Sequence, residues 1–553
     1  MPGCLQSPPK DNTLALPDLP PRQEIMHDSQ WWRGSVTYQI YPRSFMDSDG
    51  DGIGDLAGIT ARLDHVAKLG VDAIWLSPIF TSPMKDMGYD VSDYMDIDPA
   101  FGTLADFDAL VERAHALGLK VIIDQVISHS SDQHALFHQS RQSRDNPKAD
   151  WYVWADPKPD GSAPNNWQAI FGGIAWEWEP RRKQYYFHNF LKEQPDFNFH
   201  NPDVQDYLLS TMQFWLDRGV DGFRLDTVNY YFHDRLLRDE PADFRPQSRT
   251  AFAPDDMQYH LFSKNQPENL PFLERIRALL DRYDARMLVG EVGDSHHAIE
   301  LMGRYTSGNR LHMAYSFEML GPEFTAAHFR ERIEEFFTRA PHGWPCWAFS
   351  NHDVMRHVSR WEPHCVDPDD LARMAAAMLL TFQGSVCLYQ GEELGQVDTD
   401  LTYDELTDPK GIAFWPEDKG RDGCRTPFTW DAAASNGGFS TARPWLPVKQ
   451  PQLDRAVSVQ DPDEGVLAFY RSMLDLRRGQ AALRTGDTHF LDVPEPLLAY
   501  WRGNEFLCVF NLSAGNASLD TGAKLAPTLA QAATLDGTSL TLGPNGFLIA
   551  RRD

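Results

Sequence analysis

Cysteine is scarce in this chain, and the cysteines are far apart. Only six of the 553 residues are Cys, and no two stand in a CxxC or another spacing that is typical of zinc sites. A chain of this length can bury a large core and does not depend on disulfides. Scattered thiols in such a chain are typical of a reducing compartment. The sequence therefore predicts free, mostly buried cysteines and a cytoplasmic protein.

Long apolar runs and an excess of basic residues are also missing. No stretch approaches the length of about 18 apolar residues that a membrane helix needs, and residues 1–28 contain prolines instead of a signal peptide's apolar region. These residues are predicted to be a flexible Pro-rich leader. Lys and Arg number 51 against 79 Asp and Glu, so the formal net charge is −28. Such a surface repels phosphates and anionic lipids, which makes nucleic acids and membranes poor partners.

A glycine-rich phosphate turn is absent after the early strands, which argues against a dinucleotide-binding sheet. From Trp31 onward, β-type runs alternate with amphipathic helical stretches. The eight β-type runs are VTYQIY (36–41), DAIWLSP (72–78), KVIIDQV (120–126), GFRLD (222–226), MLVGEV (287–292), MAYSFEM (313–319), CWAFSNHD (346–353) and VCLYQG (386–391). Eight such units predict an α/β protein with a closed (β/α)8 TIM barrel.

Three segments interrupt or follow this alternation. A long insertion follows the third strand, a smaller one follows the eighth, and short β runs with turn residues end the chain. The predicted organisation is a leader at 1–28, a barrel at 29–127 and 201–480, a B domain at 128–200, a loop-8 insertion at 395–450 within the barrel, and a C-terminal antiparallel β-sandwich domain at 481–553.

Polar residues gather at the predicted carboxyl ends of the barrel strands, where barrel enzymes have their active sites. These residues are Asp124, His129, Arg224, Asp226, Glu291, His352 and Asp353. One carboxylate at a strand end is often structural, but a convergent set is hard to explain in that way. Two carboxylates on either side of a bond are what glycoside hydrolysis needs, one to attack carbon and one to protonate the leaving oxygen.

The two central carboxylates have different sequence neighbours. Arg224 stands two residues before Asp226 on the same strand face, so we expect its charge to keep Asp226 ionised. Glu291 stands between Gly290 and Val292 with few local polar partners, which suits a raised pKa and a role as proton donor.

These segments resemble the signature regions of the α-amylase superfamily, glycoside hydrolase family 13. The matching segments are DQVISH (124–129), GFRLD (222–226), GEV (290–292) and FSNHD (349–353). QPDFN (194–198), GSVCLYQGEELG (384–395), DPKGIAFWP (408–416) and GRDGCRTPFTW (420–430) are similar to the oligo-1,6-glucosidase and α-glucosidase branch. The resemblance extends from Trp31 to the C-terminus.

The resemblance implies three catalytic residues. Asp226 is the nucleophile that forms a β-glucosyl-enzyme, and Glu291 is the general acid/base. Asp353 binds the sugar hydroxyls O2 and O3 and stabilises the distorted ring. The residues that match the substrate pocket of the branch are Asp86, Tyr89, His129, Phe171, Phe190, Arg224, Thr227, His352 and Arg421.

Within this set, the resemblance implies that Tyr89 stacks on the terminal glucose and that Arg421 closes the pocket with Asp86. A pocket closed at the non-reducing end implies exo-action. Phe171 and Phe190 are pocket walls, or else ordinary core residues.

The acidic stretch DSDGDGIGD (47–55) matches the first half of an EF-hand loop. The ligand positions are occupied by Asp47, Asp49, Asp51, the Ile53 carbonyl and Asp55. The glutamate that ends such a loop is missing, so a polar turn is the alternative. Four carboxylates this close repel each other unless a cation neutralises them. The resemblance implies a structural Ca²⁺ or Mg²⁺ that is not catalytic, and Ser128 argues against the second calcium site of many α-amylases. No organic cofactor is expected.

Thr227, directly after the nucleophile, bears on linkage preference. In this branch Val at the position accompanies α-1,6 activity, and Ala or Thr accompanies α-1,4 activity. Thr227 thus favours maltose-type bonds, unless it is only a β-branched strand residue. A covalent intermediate also permits transfer to hydroxyl acceptors.

The sequence predicts a retaining exo-acting α-glucosidase for small α-glucosides, active as a monomer or homodimer. Two kinds of alternative remain open. The first is a related activity of the same family: a glucosyltransferase, sucrose hydrolase, oligo-1,6-glucosidase or trehalose synthase. The second is an inactive binding or scaffold homologue, which the presence of all three carboxylates disfavours.

Overall fold

The computed structural model describes residues 28–245, 251 and 253–552, so the expected leader lies outside the described residues except for Asp28. Eight parallel strands form the central sheet. They are β1 Val36–Ile40, β2 Ala73–Leu76, β3 Lys120–Gln125, β4 Gly222–Leu225, β5 Met287–Val292, β6 Met313–Ser316, β7 Cys346–Trp347 and β8 Ser385–Tyr389. They pair in the order β6-β5-β4-β3-β2-β1-β8-β7, and a parallel bridge between Ala314 and Pro345 joins the two ends. The predicted (β/α)8 barrel is confirmed.

Eight helices follow the eight strands and cover the barrel. They are α1 Leu56–Leu69, α2 Leu104–Ala116, α3 Pro202–Asp217, α4 Asn269–Leu280, α5 Ala298–Thr306, α6 Ala326–Arg339, α7 Pro368–Thr381 and α8 Val466–Gly479. Their apolar stripes face the strands, as with Ile59, Leu63 and Val66 of α1, all of them buried. Side chains mark where helices begin, since Asp55 caps α1 and Thr103 forms a reciprocal capping box at α2.

Shorter elements connect these units. Two short strands, Phe80–Thr81 and Asp93–Ile97, pair with each other after β2. The other α-helices among the described residues are Ala135–Ser140, His357–Arg360, Pro409–Phe414, Asp422–Arg425, Gln450–Leu453 and Ala481–Thr485. The 3₁₀ turns are Pro42–Ser44, Pro254–Met257, Phe317–Met319, Glu362–His364, Glu392–Leu394, Tyr403–Glu405, Ser435–Gly438 and Val457–Val459.

The insertion after β3 has a small sheet and a core of its own. Its strands are Trp154–Ala155, Trp176–Glu179 and Gln184–Phe187, and its core includes the buried Trp167 and Trp176. An antiparallel bridge pairs His129 with Asp196 at the base of the insertion. This bridge brings the QPDFN segment next to the carboxyl end of β3, where the expected site residues lie.

The C-terminal residues form one six-stranded antiparallel sheet, where the sequence pattern suggested a sandwich. Its strands are β9 Thr488–Phe490, β10 Leu497–Arg502, β11 Phe506–Asn511, β12 Ala517–Asp520, β13 Leu525–Asp536 and β14 Ser539–Arg552. One face shares the barrel core through Phe510 and Phe547, and the Tyr500 hydroxyl lies 2.7 Å from that of Thr381 in α7. The alternate positions of the same strands form a second buried cluster, which includes Leu507, Val509 and Leu548, and the sandwich stays a prediction.

None of the helices in the described part of the chain combines the length and the apolar character that crossing a bilayer requires.

Candidate active site

A single buried guanidinium joins the carboxylates at the ends of β3, β4 and β5. The Nη1 atom of Arg224 donates to Oδ1 of Asp124 at 2.8 Å and to Oδ1 of Asp226 at 2.6 Å. Its Nη2 atom lies 2.7 Å from Oε1 of Glu291. Asp124 and Arg224 are register partners on neighbouring strands, so the barrel itself brings them together. The expected contact between Arg224 and Asp226 is therefore present, and two further carboxylates share the same cation.

Glu291 has more polar partners than its sequence neighbours suggest. The Tyr315 hydroxyl donates to its Oε1 at 3.0 Å, and the backbone N–H of Thr227 donates to its Oε2 at 3.1 Å. The neighbours of Glu291 in sequence offer few polar groups, as expected, and these partners come from neighbouring strands.

Thr227 contacts both central carboxylates. Its Oγ1 donates to Oδ2 of Asp226 at 3.3 Å, while its N–H is the donor to Glu291. Its φ of 40° lies in the left-handed region, which β-branched residues rarely adopt. Strain of this kind is common at functional sites, where the surrounding structure holds the residue in place.

Burial controls the protonation of the central pair. Removal from water raises the pKa of Asp226 to about 7 and that of Glu291 to about 7, and Arg224 opposes both shifts. The raised pKa expected for Glu291 is confirmed. Arg224 favours the ionised form of Asp226, in the expected direction, while burial shifts the pKa of Asp226 upward. Two carboxyls that titrate near neutrality can hold one proton between them, which provides an acid and a base together.

Asp353 follows β7 and lies among cations. Its Oδ1 accepts from Nη2 of Arg425 at 3.0 Å and lies 3.5 Å from Nη1 of Arg421. Burial favours the protonated form, but His352, with Nε2 at 3.3 Å from Oδ2, and the two arginines hold the pKa of Asp353 well below its usual range. Asp353 is thus an ionised acceptor with a side chain that is 20% exposed, open to a ligand.

His352 and Tyr89 form one stacked wall. Their rings lie 5.3 Å apart and are nearly parallel, and the Tyr89 hydroxyl contacts Nε2 of His352 and donates to Oδ2 of Asp124 at 3.1 Å. The amide of Gln39 donates to Nδ1 of His352 at 2.8 Å, and burial lowers the pKa of His352 well below its usual value. One face of the Tyr89 ring is therefore already covered by a neutral imidazole.

Arg421 connects Asp86 to Asp353 at the far end of this wall. Its Nη2 donates to Oδ1 of Asp86 and to Oδ1 of Asp408, both at 2.7 Å. Its guanidinium lies 5.0 Å from the ring centre of Phe171, which belongs to the insertion after β3. The two insertions thus meet over the carboxyl ends of the barrel strands.

The insertion after β3 contributes His129, Phe190 and Gln194 on the same side. Nε2 of Gln194 donates to Oδ2 of Asp86 at 3.0 Å and lies 3.1 Å from Nε2 of His129. Burial lowers the pKa of His129 to about 4, so the imidazole is neutral. The rings of His129 and Phe190 lie 5.2 Å apart, and Phe190 lies 6.0 Å from Phe171. All the residues expected in the pocket are therefore found in one connected cluster.

Sequence reasoning missed four members of this cluster: Gln194, Tyr315, Asp408 and Arg425. Gln194, Asp408 and Arg425 lie inside the motifs quoted above, so their charge or polarity within those motifs was a usable signal. Tyr315 is the register partner of Glu291 in β6, and only the strand pairing reveals it.

The acidic loop after β1 gathers part of the expected ligand set. Carboxylate oxygens of Asp47, Asp49 and Asp55 lie within 4.8 Å of one another, and this group does not include Asp51. Asp51 instead accepts from the N–H of Ile53 at 2.7 Å. Burial and the neighbouring carboxylates raise the pKa of Asp49. A set of converging carboxylate oxygens fits a hard cation such as Ca²⁺ or Mg²⁺.

This arrangement of carboxylates at the mouth of a barrel agrees with a comparison against protein families. Residues 39–486 match the model described as the alpha amylase catalytic domain. The chain belongs to glycoside hydrolase family 13, the α-amylase family.

Similar proteins place it in the α-glucosidase branch of family 13. A probable alpha-glucosidase of Rhizobium meliloti is 56% identical over 497 residues, which cover 88% of this chain and 90% of that protein. An oligo-1,6-glucosidase of Heyndrickxia coagulans is 37% identical, covering 89% of this chain and 94% of its own length. The crystal structure of an alpha-glucosyl transfer enzyme, XgtA, matches with a TM-score of 0.92 and 51% identity, over 95% of this chain and 99% of that chain. The prediction of a glycoside hydrolase of the α-glucosidase type is confirmed.

Proposed function

We propose that this family 13 enzyme is a retaining, exo-acting α-glucosidase that removes glucose from the non-reducing end of short α-glucosides. The observation that carries the proposal is the 2.7 Å ion pair between Arg421 and Asp86, next to Asp353. An ion pair at this position blocks an extended chain from passing through the site. Cleavage then occurs one glucose unit from the closed end.

The chemistry follows from the two carboxyls that share Arg224. Asp226 attacks the anomeric carbon while Glu291 gives its proton to the glycosidic oxygen, so the bond to the leaving group breaks as the bond to Asp226 forms. Glu291, now ionised, takes a proton from water, which displaces Asp226 and leaves glucose with its original anomeric configuration. Asp353 stays ionised throughout and accepts hydrogen bonds from sugar hydroxyls.

Thr227 supports an α-1,4 preference in this proposal. Its side chain is tied to Asp226 and lies 3.1 Å from the hydroxyl of Ser128, so it borders the reacting carbon. Replacing Thr227 with Val keeps the side-chain shape almost unchanged and removes these hydrogen bonds, which leaves an apolar surface next to the reacting carbon.

Glucosyl transfer is a second candidate activity, because XgtA, at 51% identity, is named an alpha-glucosyl transfer enzyme. In transfer, a hydroxyl acceptor replaces water at the second step, and Glu291 deprotonates that hydroxyl in the same way.

Two further properties are part of the proposal. A structural Ca²⁺ or Mg²⁺ is held by Asp47, Asp49 and Asp55, which is supported by their convergence. The protein works in the cytoplasm as a monomer or homodimer; the five described cysteines, all free, support a reducing location.

Initial rates on maltose, isomaltose, sucrose and soluble starch test the proposal. Maltose is expected to be the best substrate and starch the poorest, with trisaccharides appearing at high maltose concentration if transfer competes. The Thr227→Val variant should raise the ratio of isomaltose to maltose turnover. Asp226→Asn serves as the inactive control. Fast starch cleavage by the unaltered enzyme, or full maltose turnover by Asp226→Asn, contradicts the proposal.

A further inference from the structure

Asp408 lies in the loop after β8 and is the fully buried partner of Arg421. Its Oδ1 accepts from Nη2 at 2.7 Å and from Nε at 3.2 Å. Its Oδ2 accepts from Nε at 3.1 Å and from the backbone N–H of Arg421 at 2.7 Å. Both the main chain and the side chain of Arg421 are thus held by one carboxylate.

Two glycines let the chain around Asp408 cross close to the chain around Arg421. Gly420 has a φ of 72°, and a Cβ added there lies only 2.4 Å from Oδ2 of Asp408. A Cβ on Gly411 lies 2.4 Å from the carbonyl oxygen of Lys419. Any side chain at these positions displaces backbone, so the close crossing of 408–411 over 419–421 depends on glycine.

Arg421 contacts three carboxylates, and the three contacts differ in geometry. Asp86 and Asp353 each meet an Nη atom, at 2.7 and 3.5 Å, and both are proposed to bind glucose. Only Asp408 also engages Nε, the edge that fixes the plane of the guanidinium. The ring of Phe171 lies 5.0 Å from the guanidinium carbon. Asp408 therefore keeps the plane in place when hydroxyl groups of a sugar compete for Asp86 and Asp353.

We propose that Asp408 is a positioning residue for the glucose pocket, which holds Arg421 in the orientation that closes the non-reducing end. This role rests on the proposed exo-glucosidase function. It predicts that loss of the Asp408 carboxylate weakens binding of short substrates more than it slows bond cleavage, because Asp408 does not contact the carboxyls that perform the chemistry.

Steady-state kinetics of Asp408→Asn on maltose test this role. KM is expected to rise about 10-fold or more while kcat changes by less than about 3-fold, as for a lost uniform binding interaction. The relative rate on soluble starch should increase as the closed end loosens. Asp400→Asn is the matched control, since Asp400 lies in the same insertion and pairs with Lys419 at 2.5 Å without touching Arg421.

A double-mutant cycle with Arg421→Ala shows whether Asp408 acts through Arg421. Adding Asp408→Asn to Arg421→Ala should raise KM no further. If the asparagine variant does not fold, Asp408→Glu makes the same test, because one added methylene moves the oxygens away from Nε while the charge stays. An unchanged KM in a folded Asp408 variant, additive effects in the cycle, or an equal loss in Asp400→Asn overturns the inference. Absence of maltose turnover in the unaltered enzyme instead contradicts the proposed function.

Discussion

Tyr315 and Arg224 influence how the proton is shared between Asp226 and Glu291. The Tyr315 hydroxyl accepts from Nη2 of Arg224 at 2.9 Å and donates to Glu291 at 3.0 Å. The contact with the cation makes this hydroxyl a stronger hydrogen-bond donor to Glu291. Burial raises the pKa of both carboxyls, and these two donors oppose the rise. The pH dependence of activity therefore depends on single side chains that touch no substrate in the proposed mechanism.

Tyr315→Phe is expected to move the basic limb of the pH profile to higher pH. The proposed mechanism needs Asp226 ionised and Glu291 protonated, so kcat/KM falls on both sides of an optimum near pH 7. Loss of the hydroxyl removes a donor that stabilises ionised Glu291, so Glu291 keeps its proton to higher pH, by roughly half a unit or more.

The measurement is kcat/KM on maltose across pH for the variant and the unaltered enzyme. Tyr403→Phe is the control, because Tyr403 is a half-exposed tyrosine in the loop after β8. A basic limb that stays in place, or moves to lower pH, contradicts the assigned role of Tyr315.

The site residues that the sequence could predict are those that the strands position. Asp226, Glu291 and Asp353 end or follow barrel strands, and the parallel sheet brings such positions to one face whatever the loops do. Arg425 and Asp408 come from the insertion after β8, whose sequence has no periodicity. Arg425 binds Asp353, which lies 72 positions earlier, and Asp408 binds Arg421 where two stretches of the insertion cross. Only the folded loop reveals these contacts.

Among the elements, the acidic loop between β1 and α1 combines converging carboxylates with hydrogen bonds that shape its backbone. Asp47 accepts from the N–H of Gly52 at 2.8 Å and Asp55 caps α1 through Gly58 at 2.7 Å, so two of the converging carboxylates also shape the backbone. Ser440 in the loop after β8 donates to Asp47 at 2.5 Å. Disturbing this loop therefore affects the start of α1 and the packing of the loop-8 insertion.

Removal of the proposed cation is expected to lower Tm by about 2–5 °C, since a ligand that binds only the folded state stabilises it. Melting curves after treatment with EDTA, then after adding Ca²⁺ or Mg²⁺, provide the measurement. The kcat on maltose well below Tm should remain unchanged, because the loop does not contact the catalytic carboxyls.

Asp49→Asn should abolish the response to cations, and Asp145→Asn, a carboxylate in the insertion after β3, should leave it intact. A Tm that neither EDTA nor added cation changes in the unaltered protein contradicts a structural metal at this loop.

At the scale of whole elements, periodicity predicted all eight barrel strands and, between most neighbouring strands, a helix that covers them. The helix over 59–66 illustrates why. Its apolar residues recur at helical spacing, so a helix places all of them on one face, and that face is buried against the strands. The C-terminal strands were also predictable, but their arrangement was not. The contact of Tyr500 with Thr381 shows that one face of these strands packs on the barrel, which the alternation of side chains does not reveal.

At the scale of the molecule, the net charge of −28 is not a signal for the ligand. The proposed substrate is uncharged, and the carboxylates around the pocket are balanced locally by Arg224, Arg421 and Arg425. The remaining acidic residues act mainly as a solvating surface. What the whole fold contributes is the meeting of two insertions over one barrel mouth, which is the basis of the proposed closed pocket.

The stereochemistry of the released glucose tests the central claim most directly. Proton NMR during cleavage of p-nitrophenyl α-glucoside distinguishes the two anomers before they equilibrate. This substrate contains a single glucose, so all the glucose that appears comes from the cleaved bond. A covalent intermediate on Asp226 requires two inversions at the anomeric carbon. The account predicts that α-glucose appears first and the β-anomer only later, by mutarotation. Initial release of β-glucose would contradict it.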